Sequence, residues 1–261
     1  EIYTLSLHDA LPILLSVSLK DNAGVMSAPF SLPDVFHFEN YQQAWQMGKL
    51  GTALVNSVLV CGVTLIVSLF FGAMAAFAIA RMRWKLSEFM HTFFLIGMMV
   101  PVHCVLIPLF VRFAKLGLTN SQGGLMIPYI TFSLPMTIFL LTGFFRSMPG
   151  EMFEAAAIDG CNSFQTLYKV IVPMLMPALV SCALFQFMWS CNDFMGPLLY
   201  VQTPAKYPMS LFVKLSMDGD TGFAWNRILA LSLISILPQL IVFFCAQDQF
   251  VEGISAGAVK G

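Results

Sequence analysis

Five stretches of this chain are long and apolar enough to cross a bilayer as helices, and no soluble fold has room for all of them in its interior. They run Thr52–Ala80, Phe89–Val111, Leu125–Phe145, Val170–Val201 and Ile228–Ala246, and the only charged side chain within them is Asp193. An α-helix rises about 1.5 Å per residue, so about 20 apolar residues cross the hydrocarbon layer. Composition agrees: 58% of the 261 residues are hydrophobic and only 10% charged, against roughly 25% charged in an average soluble domain. With 13 Lys and Arg and 14 Asp and Glu, the chain cannot clothe such a core in polar groups. Lipid must solvate much of the surface. The expected fold class is therefore all-α integral membrane, a polytopic helical bundle. The net charge of −1 excludes a nucleic-acid binder, which needs a basic face.

The N-terminus fits this scheme as half a helix. Leu11–Leu19 is apolar but too short to span, and Glu1, His8 and Asp9 precede it. It lacks the basic start and small-residue cleavage site of a signal peptide. Residues 1–13 read as non-native, because Leu5–Ile13 resembles translated sequencing adapter joined to a truncated reading frame. The expectation is five full transmembrane helices plus a truncated first one. The six cysteines show no CxxC or CxxH spacing, and all but Cys161 lie in apolar runs, where a thiol is a small hydrophobe. No metal or cofactor site is expected in this chain.

Basic residues divide almost evenly between the two sides. Arg81, Arg83, Lys85, Arg146, Lys169 and Lys260 fall on one, and Lys20, Lys49, Arg112, Lys115, Lys206, Lys214 and Arg227 on the other. Density decides, since three of the first set crowd into the short Arg81–Lys85 turn, and short basic turns stay cytoplasmic. That choice puts 146–169 and the C-terminus inside as well.

The loop at 146–173 has its own punctuation. Pro149 suits a first helical turn, Glu151 and Glu154 complement a helix N-terminus, and Gly160 is a natural C-terminal stop. Asn162 or Ser163 then caps a second helix, with Gln165 placed for a capping box if Asn162 is the cap. Ala156 and Gly160 sit four apart with Ala157 beside them, a face of little bulk that permits close approach by another protein.

The order Glu154-Ala155-Ala156, then Asp159-Gly160, then Pro173 closing an aliphatic-x-aliphatic-Pro run resembles the EAA loop of ABC importer permeases. Val170 and Val172 stand where Ile and Leu are usual. The resemblance extends over residues 14–261, through Ser18–Asp21, Glu39–Tyr41, Asn56-Ser57, Ala76–Arg81, Val100-Pro101 and Ile107-Pro108. The ending Gly257-Ala258-Val259-Lys260-Gly261 narrows it to the carbohydrate-uptake branch, similar to the maltose permease's G subunit. This resemblance implies that 14–261 is one permease transmembrane domain with a cytoplasmic EAA coupling helix. In it Glu154, Ala155, Ala156, Asp159, Gly160 and Pro173 would couple to an ATPase that the tail 257–261 also contacts. Implied partners are a second homologous permease, two ATP-binding subunits that hold ATP and Mg, and an extracytoplasmic solute-binding protein that meets the outer segment 202–227. The location implied is the bacterial inner membrane, with a sugar or oligosaccharide as cargo. The chain itself has no GxxxxGK[ST] and no paired carboxylates in its spans, so no catalytic residue is expected.

Asp193 is the charge to explain. An acid among apolar residues is a functional candidate by default, yet near a helix end it equally well caps backbone ahead of Pro197. The family's Trp-Asn-Asp-Phe pattern is met by Asn192 and Asp193, with Cys191 in place of Trp and Trp189 two residues earlier. Gln186 and Trp189, three apart, share a helix face. Gln186, Trp189, Asn192 and Asp193 are thus the candidate substrate path. Two other readings compete with sugar import through an ABC machine: an ion-coupled secondary transporter with Asp193 as carrier, and an ABC permease for another polar solute such as glycerol phosphate.

Overall fold

The computed structural model describes residues 11–46, 49–82, 84–217 and 224–258, and every regular element among them is helical. Helix α1 covers residues 11–18, so the apolar half-helix forms; residues 1–10, most of the segment read as non-native, lie outside the described residues. The order continues with α2 (Asn22–Ser27), α3 (Glu39–Gln46), α4 (Leu50–Arg81), α5 (Ser87–Met98), α6 (Val102–Lys115), α7 (Gln122–Ser147) and α8 (Glu151–Ile158). After these come α9 (Ser163–Gln165), a π turn (Thr166–Ile171), α10 (Val172–Met174), α11 (Met176–Asn192), α12 (Met195–Tyr200), a 3-10 turn (Pro204–Lys206), α13 (Met209–Met217) and α14 (Trp225–Ala258).

Among the described residues, three helices are long and apolar enough to cross a membrane, Leu50–Arg81, Gln122–Ser147 and Trp225–Val251. The number becomes five if each of two bent pairs is one span. Two of the five apolar runs are bent within their length. The run Phe89–Val111 breaks between α5 and α6, which meet at 95°. Pro101 is extended at the break (φ −70°, ψ 117°); its ring denies Val100 the helical conformation and it has no N–H to donate. The run Val170–Val201 is also not one helix: the segment Thr166–Met174 meets α11 at 76° across Leu175, between Pro173 and Pro177, and the chain leaves helix again after Asn192.

Helix α4 has its polarity inside out. Val55, Val58, Ile66, Phe70 and Phe71 are exposed, while Asn56, Thr64 and Ser68 are buried. Residues spaced by four share a face, so 56, 60, 64 and 68 form a buried stripe opposite the apolar one. Lipid rewards that arrangement and water would penalise it.

The chain divides into two compact units. One comprises Glu1–Leu59, Asn120–Gln122 and Cys191–Ile241; the other comprises Val60–Thr119, Gly123–Ser190 and Val242–Gly261. In the first, Ala44, Leu50, Ala53, Met209, Ala230 and Leu231 form the core. Buried Asn40 ties the early chain together there, donating to the carbonyls of Ser18 (2.9 Å) and Lys20 (2.8 Å). Buried Asn56 likewise donates to Ala205 and Tyr207 at 3.0 Å each.

In the second unit α4 and α7 lie in close contact. A Cβ on Gly72 would fall 2.6 Å from Thr137 Cγ2, and Ser68 Oγ is 2.8 Å from Ser133 Oγ. Below them Ala76, Phe77, Leu141, Phe145, Leu167 and Ile171 build the core against which Met152 and Phe153 of α8 pack.

Candidate functional site

Helix α8 is short because its sequence stops it. Gly160 adopts φ +79°, the left-handed conformation that costs a side-chain-bearing residue about 1 kcal/mol or more. The Cys161 N–H then donates to Ala156 O (2.9 Å) and the Gly160 N–H to Ala157 O (3.1 Å), the paired bonds of a Schellman ending. Two residues on, Asn162 and Gln165 form the reciprocal capping box. The Asn162 N–H donates to Gln165 Oε1 (3.0 Å), and the Gln165 N–H donates to Asn162 Oδ1 (2.8 Å). One helix is thus closed and the next opened within five residues.

The second helix differs from expectation. It makes one α turn and then widens into the π turn Thr166–Ile171, leading through Pro173 to the 76° bend. Such i→i+5 turns have no compositional signature, and they recur at functional sites.

Three groups hold α8 against the helical unit. Phe153 stacks on Phe77, with ring centroids 6.2 Å apart and planes at 25°. Arg81 lies over the Phe153 ring as well, its Cζ 4.4 Å from the centroid. The same guanidinium donates to the backbone carbonyls of Phe145 and Met148, at the end of α7 where helical carbonyls lack intrahelical donors. Arg146 of α7 pairs with Glu88 of α5 at 2.9 Å. The turn after α4 and the loop after α7 therefore occupy one end of this unit, as their shared side assignment requires. A groove of about 780 Å³ opens there, bordered by Arg81, Trp84, Phe153, Glu154, Ala157 and Cys161.

The outward face of α8 is not quite the one expected. Ala156 is 4% exposed, so it faces the interior and does not share an open small face with Gly160. Glu154, Ala155, Ala157, Asp159 and Gly160 are exposed. Ile158 is 87% exposed, a large aliphatic tip that sequence reasoning passed over. Its signal was present: a lone bulky apolar residue between three alanines and Asp-Gly.

The candidate substrate residues separate. Gln186 is 5% exposed and Trp189 38%, both on α11; Trp189 meets Tyr129 edge-on at 5.2 Å. Asn192, the last residue of α11, is exposed. Asp193 lies past the helix end, where its carboxylate accepts from the N–H groups of Met195 (3.1 Å) and Gly196 (3.2 Å), opening α12. Of its two readings, the geometry is that of the cap. In the tail, Gly257 and Ala258 end α14, and Val259–Gly261 lie outside the described residues, as do residues 218–223 of the outer segment.

Residues 68–253 match the family described as "Binding-protein-dependent transport system inner membrane component". The chain is 31% identical over 248 residues to the diacetylchitobiose uptake system permease protein NgcG of Streptomyces coelicolor, covering 95% of this chain and 82% of the relative. It is 32% identical over 255 residues to the trehalose transport system permease protein SugB of Mycobacterium tuberculosis, covering 96% and 92%. Its fold is similar to a chain of a bacterial ABC transporter involved in the import of the acidic polysaccharide alginate, with TM-score 0.83 at 23% identity, covering 95% and 92%. With most of its length matched in each comparison, the chain belongs to the binding-protein-dependent transport system inner membrane components, the multi-pass permeases of ABC importers.

Proposed function

We propose that this chain is the non-catalytic permease subunit of an ATP-driven importer for a sugar or oligosaccharide in the bacterial cytoplasmic membrane. The observation that carries the reading is α8: a short helix pinned inward by Phe153 and Arg81, presenting Glu154, Ala155, Ile158 and Asp159 outward, and joined through Gly160 to a π turn and Pro173. A helix so held moves with the spans behind it. Closure of a pair of ATPase subunits against α8 would then rock α4, α7 and α11. In this reading Ala156 seats the helix, Gly160 stops it, and 257–261 reaches the ATPases.

ATP and Mg belong to those partners, since this sequence has no phosphate-cradling loop. A second permease completes the pathway, and an extracytoplasmic binding protein delivers cargo to the outer segment 202–227. Sugar as cargo is supported by relatives named for diacetylchitobiose and trehalose. Glycerol phosphate is the alternative cargo within the same machine. An ion-coupled transporter has less support, because Asp193 is engaged in opening α12.

The test is the complete complex in proteoliposomes, with Gly160→Trp beside wild type. Loss of ATP-dependent uptake with assembly intact supports the coupling role; unaltered coupling counts against it.

A further inference from the structure

Between α2 and α3 the chain carries its apolar side chains on the outside. Phe30 is 84% exposed and Leu32 82%, and Met26, Val35, Phe36 and Phe38 are each more than half exposed. Asp34 is the only Asp, Glu, Lys or Arg between Met26 and Phe38. Polar groups hold the backbone that presents them. Buried Lys20 donates from Nζ to Ala28 O and to Ser31 Oγ, the latter at 2.8 Å. Ser16 Oγ of α1 donates to Ser31 O (3.2 Å), and the His37 N–H donates to Leu19 O (2.8 Å). The Phe36 and Phe38 rings stack with centroids 6.2 Å apart and planes at 21°. A loop tied at 28, 31 and 37 cannot turn these side chains inward without breaking those bonds, so the apolar face belongs to its fixed shape.

Position decides what covers that face. The ties run to Ser16, Leu19 and Lys20, at the end of α1, and the loop leads through α3 into the first turn of α4. There a Cβ on Gly51 would lie 3.7 Å from the Trp45 ring. Trp45, itself exposed, thus marks the level at which the α4 span begins, the depth at which tryptophans gather in membrane proteins. Glu39 and Gln43, four apart, share one face of α3, and Trp45 lies on another. Exposed apolar side chains continue along the flanking helices, at Leu15 of α1 and at Val55 and Val58 of α4. A soluble partner that docks and leaves meets a surface no more apolar than the rest of a protein, whereas this one is almost wholly apolar. Large exposed apolar patches mark protein or membrane contacts, and a place at the heads of two apolar helices selects the membrane.

We infer that loop 28–38 is an interfacial anchor, its apolar tips inserted among the phospholipid headgroups and upper acyl chains of the leaflet that α4 enters first. Under the side assignment made from the basic residues, that leaflet is the outer one. The anchor holds the start of α4 at headgroup depth, and it depends neither on the cargo nor on the role of α8.

The experiment uses the full complex, with its binding protein, in nanodiscs of tritiated phosphatidylethanolamine and phosphatidylglycerol. The photoreactive residue p-benzoylphenylalanine replaces Phe30, Leu32 or Phe36 in turn, positions whose exposure leaves room for it. Gln43, on the polar face of α3, is the reference position. After irradiation, lipid adducts from 30, 32 and 36 are expected to exceed those from 43 about ten-fold. With the reporter at 36, Phe30→Ser together with Leu32→Ser is expected to cut the lipid adduct several-fold, because the native tips and not the reporter hold the loop in the leaflet. Adducts to the binding protein or the second permease in place of lipid, a lipid yield no higher than at 43, or a yield unchanged by the two serines overturns the anchor while leaving sugar import intact.

Discussion

The guanidinium carbon of Arg81, the last residue of α4, sits 4.4 Å from the centre of the Phe153 ring on α8. One side chain thus joins the end of a span, the terminal carbonyls of α7 and the loop helix. Charged hydrogen bonds contribute about 1.5–3 kcal/mol each when a partner would otherwise be stranded, and Lys cannot reproduce a planar fork. Arg81→Lys is expected to lower the thermal midpoint in detergent by several degrees and to weaken coupling more than it weakens assembly. Phe153→Leu, which keeps bulk but removes the ring, should cost about 1 kcal/mol. Melting curves and ATPase assays of both variants check this.

Gly72 and Thr137 bring α4 and α7 into close approach. A methyl at Gly72 would lie 2.6 Å from Thr137 Cγ2 and 3.2 Å from its Cβ, and a β-branched residue in a helix has little rotamer freedom with which to yield. Gly72→Ala is expected to destabilise by about 1–3 kcal/mol. Adding Thr137→Ala should recover much of that loss, and a double-mutant cycle on thermal unfolding measures the coupling. Additive losses would mean the helices separate for another reason.

At Gly160 the requirement is conformational, for a methyl added there would meet nothing within 4 Å, whereas φ is +79°. The expected order of stability is Gly, then Asn, then Ala, then Val, with Ala about 1 kcal/mol below Gly. If the order instead followed side-chain volume alone, crowding and not backbone strain would be the cause.

Asp193→Asn keeps an oxygen for the Met195 and Gly196 N–H groups. ATP-driven uptake by the assembled complex should survive it with less than about 1 kcal/mol lost in stability. An ion carrier would not tolerate the change. Abolished uptake at wild-type expression would restore the ion-gradient reading.

Much of this fold is legible because lipid imposes a simple rule. Runs without charge become spans, and the ends of α4 and α7 fall at Arg81 and Arg146, where charge returns. Breaks inside spans are harder: Pro101 marks one openly, but the π turn at Thr166–Ile171 depends on how the backbone is wound, which residue type does not record. The loop's punctuation was readable because Gly160, Asn162 and Gln165 act on their own neighbours in sequence. The role of Arg81 was not, because it depends on groups many residues distant. Arg81 reads in sequence only as a charge that fixes topology; its bonds to Phe145 and Met148 exist only once α4 and α7 lie side by side.

The Schellman ending at Gly160 and the capping box at Asn162 share a corner with almost no free backbone between them. A slack tether transmits tension only, going limp when its ends are pushed together. A corner locked on both flanks resists opening and closing alike. Under the proposed coupling role, displacement of α8 in either direction would reach the π turn with its sign preserved, so that the reset stroke of a cycle would pass through the same joint as the power stroke.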